Sequence, residues 1–120
     1  MRQQFSRHDK VRKALMREIS DIIATGIQEP ELQNQIISVT DVELSQDLRH
    51  AKVFLSVLGD PEEQEAIMAV LLEVQPQIRQ QVGQRIRMRF TPELVLSLDD
   101  SLERGSRMSS LLDKIAKGEL

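Results

Sequence analysis

A chain of 120 residues fits one compact domain plus a short tail and leaves no room for a second independent core. Its 40% hydrophobic and 29% charged content exclude a disordered chain, and the absence of Cys excludes a disulfide framework or a thiolate metal site and fits a reducing compartment. Three Phe, with no Trp or Tyr, remove the usual platforms for stacking bases, so any recognition of a polyanion is expected to lean on backbone and charge.

The net charge of −3 argues at first against a nucleic-acid partner, but the charge is segregated along the chain. Between Arg2 and Arg17 six basic residues stand against one acid, Asp9. From Asp60 to Glu73 the chain carries five acids and no base. From Gln75 to Thr91 it carries Arg79, Arg85, Arg87 and Arg89 and no acid.

Taken in order, Val11, Leu15, Ile19 and Ile22 recur at helical spacing from Ser6 to about Thr25, with Ser6 and Asp9 as a relative of the capping box and Gly26 as the stop. On a wheel of about 100° per residue Arg7, Lys10, Lys13 and Arg17 share a stripe opposite the apolar one, while Arg12 falls inside the apolar arc and is expected to snorkel. A charged helix face is ordinarily just a solvated face, so this basic stripe gains meaning only from what lies beside it.

A polar loop over residues 28–35 follows, then a β-branched stretch, Ile36 to Leu44, that reads as a strand. Ala51, Val53, Leu55 and Val57 alternate with Lys52, Phe54 and Ser56, predicting a second strand in an antiparallel hairpin with the first, with Arg49 and Lys52 at its tip and exit. Asp60 as N-cap and Pro61 at the first helical position open a helix whose apolar stripe, Ile67, Val70, Leu71, Val74, Ile78 and Val82, continues past Pro76. A proline there lacks the donor for the carbonyl of Leu72, so the spacing predicts a kink or break at Val74, Gln75 and Pro76 with two helices sharing one buried face.

Beyond Gly83 the period becomes two, placing a third strand within residues 86–98; if Ile86 to Phe90 is extended, Arg87 and Arg89 project opposite Met88 and Phe90. That makes a second basic patch, for which a solvated strand face or an edge protected by positive charge is the alternative reading. Met108, Leu111, Leu112 and Ile115 predict a last short amphipathic helix. The expected division is therefore a domain over residues 1–100 and a tail over 101–120.

His8 and His50 lie on different elements without a ligand pattern, no Ser sits in a glycine-flanked elbow, and no glycine-rich phosphate loop occurs, so neither an enzyme nor a cofactor or metal is expected. No leader pattern precedes the first helix and no apolar run approaches the ~18–20 residues of a membrane span, which predicts a cytoplasmic protein.

The stretch from Val42 to Gly59, VELSQDLRHAKVFLSVLG, resembles the most characteristic segment of the ribosome-binding factor A family. A second similarity runs from Ile78 and Arg79 through Gly83, Arg87-Met88-Arg89 and Pro92-Glu93-Leu94 to Asp99-Asp-Ser-Leu-Glu-Arg-Gly105, and with Arg7, Val11, Glu18 and Ser20 the resemblance covers about residues 5–116. It implies an α+β, KH-like fold of the second type, ordered helix, strand, strand, kinked helix pair, strand, with helices on one face of a three-stranded sheet. Where that family has an Ala-x-Gly kink this chain departs with Val74-Gln75-Pro76, which keeps the bend but removes glycine's close approach to a phosphate. It further implies a non-enzymatic, monomeric factor in ribosome biogenesis that binds the immature small subunit and its ribosomal RNA, supports 5′-end processing and matters for growth in the cold. Ribosomal proteins or other assembly factors are further partners it allows, the acidic helix offering an alternative protein-binding face. The RNA-binding candidates are Arg7, Lys10, Lys13, Arg17, Arg49, Lys52, Arg79, Arg85, Arg87 and Arg89.

Overall fold

The computed structural model describes residues 6–99. Its first helix, α1 (Arg7–Asp21), starts where Ser6 Oγ accepts from the amide of Asp9 at 3.1 Å, and passes into a π-helical turn, Ile22–Gly26. The wider turn lets Ile22 and Ile23 both reach the interior, behind Leu15 and Ile19. Each such fully buried aliphatic side chain contributes roughly 1.5–3 kcal/mol.

Within the loop at residues 28–35 the chain makes a single helical turn, α2 (Pro30–Gln33), which sequence periodicity is too short to reveal and which buries Leu32. β1 (Ile37–Leu44) and β2 (His50–Val57) pair antiparallel from Ile37 opposite Val57 to Leu44 opposite Ala51, and a bulge between Val39 and Asp41 explains the broken alternation of the first strand. β3 (Glu93–Leu98) pairs parallel to β2, His50 opposite Glu93 through Leu55 opposite Leu98, so β2 is central. A parallel partner requires a long crossover, supplied by α3 (Pro61–Arg85).

α1 lies over β1, α3 over β3, and the two helices touch each other. Ala51, Val53, Leu55 and Val57 point from β2 into this helix-covered side with Leu94 and Leu96 of β3. The expected α+β arrangement, helices packed on a three-stranded sheet, is the one observed.

Three local expectations change. The pair expected around Val74, Gln75 and Pro76 is one 25-residue helix by its hydrogen bonding. Pro76 and Leu72 are both exposed, so the amide that proline lacks is missing on the solvent side, where water can serve the Leu72 carbonyl, while the buried stripe from Ile67 to Val82 runs on uninterrupted. The third strand begins only at Glu93; residues 86–92 form an irregular connection instead of the first half of a longer strand. Arg12, half-buried, carries its guanidinium to the partly exposed Asp41, Nη1 to Oδ1 at 3.2 Å, tying α1 to the bulge in β1. Phe54, assigned by alternation to the polar face of β2, is only 6% exposed. The predicted helix at Met108 to Ile115, and with it the tail at 101–120, lies outside the described residues.

Candidate nucleic-acid interface

Three backbone segments converge at one end of the sheet. The first is the start of α1, fixed by its cap and by His8, whose Nε2 donates to the carbonyl of Leu44 at 2.7 Å. The second is the turn between β1 and β2, where Leu48 adopts a left-handed φ of 62°. Ser45 closes this turn: its carbonyl accepts from the Leu48 amide at 3.0 Å, and its hydroxyl accepts from the His50 amide at 3.0 Å while donating to Asp47 at 2.7 Å. Bonding first from the Ser45 hydroxyl and then from the Arg49 amide holds the Asp47 carboxyl below the ordinary carboxylate range.

The third segment is the connection 86–92, clamped at its far end by Arg79. That guanidinium donates from Nη2 to the Thr91 carbonyl at 2.8 Å and from Nε to the Pro92 carbonyl at 3.0 Å. The amide of Glu93 then donates to the Arg49 carbonyl at 2.8 Å, which seats the connection against the turn. Gly83 permits this approach: a Cβ there would lie 2.8 Å from Thr91 Oγ1.

These anchors gather four of the candidate arginines around Phe90. Arg7, Arg49 and Arg89 line a groove of 330 Å³ with Asp47, Leu48, Met88 and Phe90. Arg49 and Arg79 line a smaller one of 200 Å³ beside it, also bordered by Phe90. Arg79 and Arg89 line a groove of 720 Å³ that reaches Gln75 and Pro76, so two of the three kink residues border this surface. Val74 is buried below them.

The remaining candidates divide. Lys10, Lys13 and Arg17 are exposed along α1, extending the stripe that Arg7 begins, and Arg87 is exposed on the connection. Arg85 is engaged: Nη1 meets Asp21 Oδ2 at 2.6 Å and Glu18 Oε1 at 3.5 Å, and the Asp21 bond is the foremost influence favouring its charged form. Glu18 Oε2 also receives Arg17 Nε at 3.2 Å, so one carboxylate joins the stripe of α1 to the end of α3. Arg85 thus touches the end of α1, and Arg89 shares a groove with Arg7 at its beginning. Lys52 stands apart on β2, its Nζ 5.1 Å from the Phe54 ring centroid, in a shallow groove with Glu43, His50 and Val95.

The acidic half of α3 lies at the other end of that helix. Glu63 and Arg85 are separated by roughly 33 Å of helical rise at ~1.5 Å per residue. Phe90 is the residue that sequence reasoning missed: strand alternation assigns it to the interior, yet it is 50% exposed with the Arg49 guanidinium carbon 4.5 Å from its ring centroid and that of Arg89 at 5.7 Å. The run of Arg-Met-Arg-Phe before a proline is the one signal that could have suggested an end to the strand pattern there. Among the described residues no group of three His, Cys, Asp or Glu is placed to hold a metal ion, and no helix is long and apolar enough to cross a membrane.

A family model described as ribosome-binding factor A matches residues 7–112 of this chain. A ribosome-binding factor A of Gloeobacter violaceus is 45% identical over 111 residues, covering 92% of this chain and 86% of that one. The crystal structure of ribosome-binding factor A from Thermus thermophilus superposes with a TM-score of 0.65 at 20% identity, over 78% of this chain and 97% of that one. A homology model of the Thermus thermophilus factor, fitted into a cryo-electron-microscopy map of its 30S complex, gives a TM-score of 0.58 at 21% identity, over 72% and 88% of the two chains.

Proposed function

The chain belongs to the ribosome-binding factor A family, and from that premise we propose that it binds the immature small ribosomal subunit through ribosomal RNA and assists late maturation and 5′-end processing of that RNA. The Thermus thermophilus relative fitted into a 30S complex supports the subunit as partner. In this reading the protein is a cytoplasmic, monomeric RNA-binding domain without catalysis, and its part in cold growth follows from subunit maturation.

The observation that carries the proposal is the meeting of Arg7, Arg49, Arg79 and Arg89 from four separate stretches of sequence around one grooved surface, with Lys10, Lys13 and Arg17 exposed farther along the helix that Arg7 begins. An arginine fork suits phosphate oxygens, and each phosphate neutralised releases counterions. Lys10, Lys13, Arg17 and Arg87 extend this footprint, while Lys52 would meet RNA separately, from its own groove on β2. Arg79 and Arg85 act chiefly by positioning the connection that bears Arg87 and Arg89.

The test is the salt dependence of binding to subunit precursors. Replacing Lys10, Arg17, Arg87 or Arg89 by Ala should flatten the slope of log affinity against log salt by about 0.7–0.9 for each phosphate left without its cation. Glu63→Ala on the acidic helix should leave the slope unchanged. Retention of the parent slope in all the basic variants, with affinity reduced in Glu63→Ala, would replace RNA binding by a protein contact through α3.

A further inference from the structure

We propose that Phe90 is a stacking platform for one unpaired ribonucleotide, with Arg7, Arg49 and Arg89 meeting the phosphates on either side of the stacked base. This rests on the RNA-binding reading and narrows it, because it names the kind of RNA segment the surface selects.

Half of Phe90 remains open to solvent although neighbouring Met88 and Ile86 are partly covered. The Arg49 guanidinium lies within cation–π reach of the ring, and Arg89 approaches less closely. An aromatic ring and a guanidinium plane are the two surfaces on which unpaired bases stack, and here they adjoin. The ring also borders all three arginine-lined grooves, so backbone entering and leaving a base on Phe90 passes cations in both directions.

The platform is held in advance of binding. Arg79 clamps the carbonyls of Thr91 and Pro92, and the Glu93 amide bonds the Arg49 carbonyl, so the backbones bearing the ring and its cation are tied together. A base inside a helix already has both faces stacked and cannot lie on Phe90; only a loop, bulge or single-stranded end can supply one. Stacking needs no particular base, which suits a ring bordered by guanidinium groups.

The experiment uses the full chain, a single-stranded oligoribonucleotide carrying one 2-aminopurine, and a blunt duplex of the same length. The parent should change the 2-aminopurine fluorescence on binding. Phe90→Leu, which keeps apolar volume, and Phe90→Ala should both abolish that change and weaken single-strand binding about tenfold, with duplex affinity and salt slope unaltered. Phe90→Trp should preserve both signals. Parent-like single-strand affinity in Phe90→Leu overturns the stacking role, and so does an equal loss on single strand and duplex, which would make the ring a structural brace. In either case a retained salt slope leaves RNA binding standing; a parent that binds neither RNA in a salt-dependent way defeats the underlying reading itself.

Discussion

Arg85 in the last turn of α3 reaches Asp21 at the end of α1 with 2.6 Å between Nη1 and Oδ2, so a residue in one of the two basic stretches of the sequence is engaged within the fold. Arg85→Met is therefore expected to lower the thermal midpoint while leaving the salt slope of RNA binding intact. A thermal melt paired with binding at three ionic strengths checks this, and a flattened slope without destabilisation would return Arg85 to the phosphate contacts.

Pro76 stands on the exposed side of α3. Pro76→Ala supplies an amide toward the Leu72 carbonyl and should leave the fold intact, with a stability gain bounded by the ~3 kcal/mol that a proline costs inside a regular helix. The gain should fall well short of that bound, since water can serve a carbonyl on the exposed side of the helix. Urea midpoints and far-ultraviolet circular dichroism measure it. A loss of stability instead would show that the ring itself packs usefully where it borders the groove with Gln75 and Arg79.

Gly83 and Thr91 are coupled by lack of space, because a Cβ at position 83 would meet Thr91 Oγ1 at 2.8 Å. In a Thr91→Ala background, Gly83→Ala should stabilise α3 by about 0.5–1 kcal/mol through helix propensity. In the parent the same change should stabilise less, or destabilise, and should weaken RNA binding by displacing the connection. A double-mutant cycle reads the difference, and additivity within ~0.5 kcal/mol would show the two residues to be independent.

Among the described residues, Asp47 is the single carboxylate on the groove shared by Arg7, Arg49 and Arg89. Asp47→Asn removes that charge but keeps an oxygen able to accept from Ser45 and Arg49, and should tighten RNA binding. Its depressed pKa carries a second consequence. The ionised form stabilises the fold fully above the ordinary carboxylate value and loses that contribution as pH falls through the lower folded value. Unfolding curves below about pH 4 should thus be less pH-dependent in Asp47→Asn than in the parent. Identical acid limbs would contradict this.

The strands and helices that carry the core were legible because each has its own period: Ala51 to Val57 alternates, and Leu15, Ile19 and Ile22 repeat at helical spacing. The basic stretches were legible as well, but not their geometry. Arg87 and Arg89 sit on an irregular connection whose alternation imitates a strand, and what stops the strand is tertiary: Arg79 takes the carbonyls of Thr91 and Pro92 out of any ladder. Arg12 looked like a misplaced charge because its partner, Asp41, belongs to a bulge that no local pattern announces. Phe90 was hidden for the same reason as Arg89, since its exposure depends on where the strand begins.

The parallel register that sets His50 opposite Glu93 also fixes when the surface can exist. Arg7 and Arg49 leave a translating ribosome early, whereas Phe90 and the strand that seats it come near the end of the described chain. Parallel pairing between distant segments is among the slower steps of folding, because loop closure precedes any reward from contact. The arginine of the turn and the ring it faces therefore come together only after β3 docks. A nascent chain that has not yet made β3 carries the charges of α1 without the grooves, and would attract RNA loosely without holding it in register.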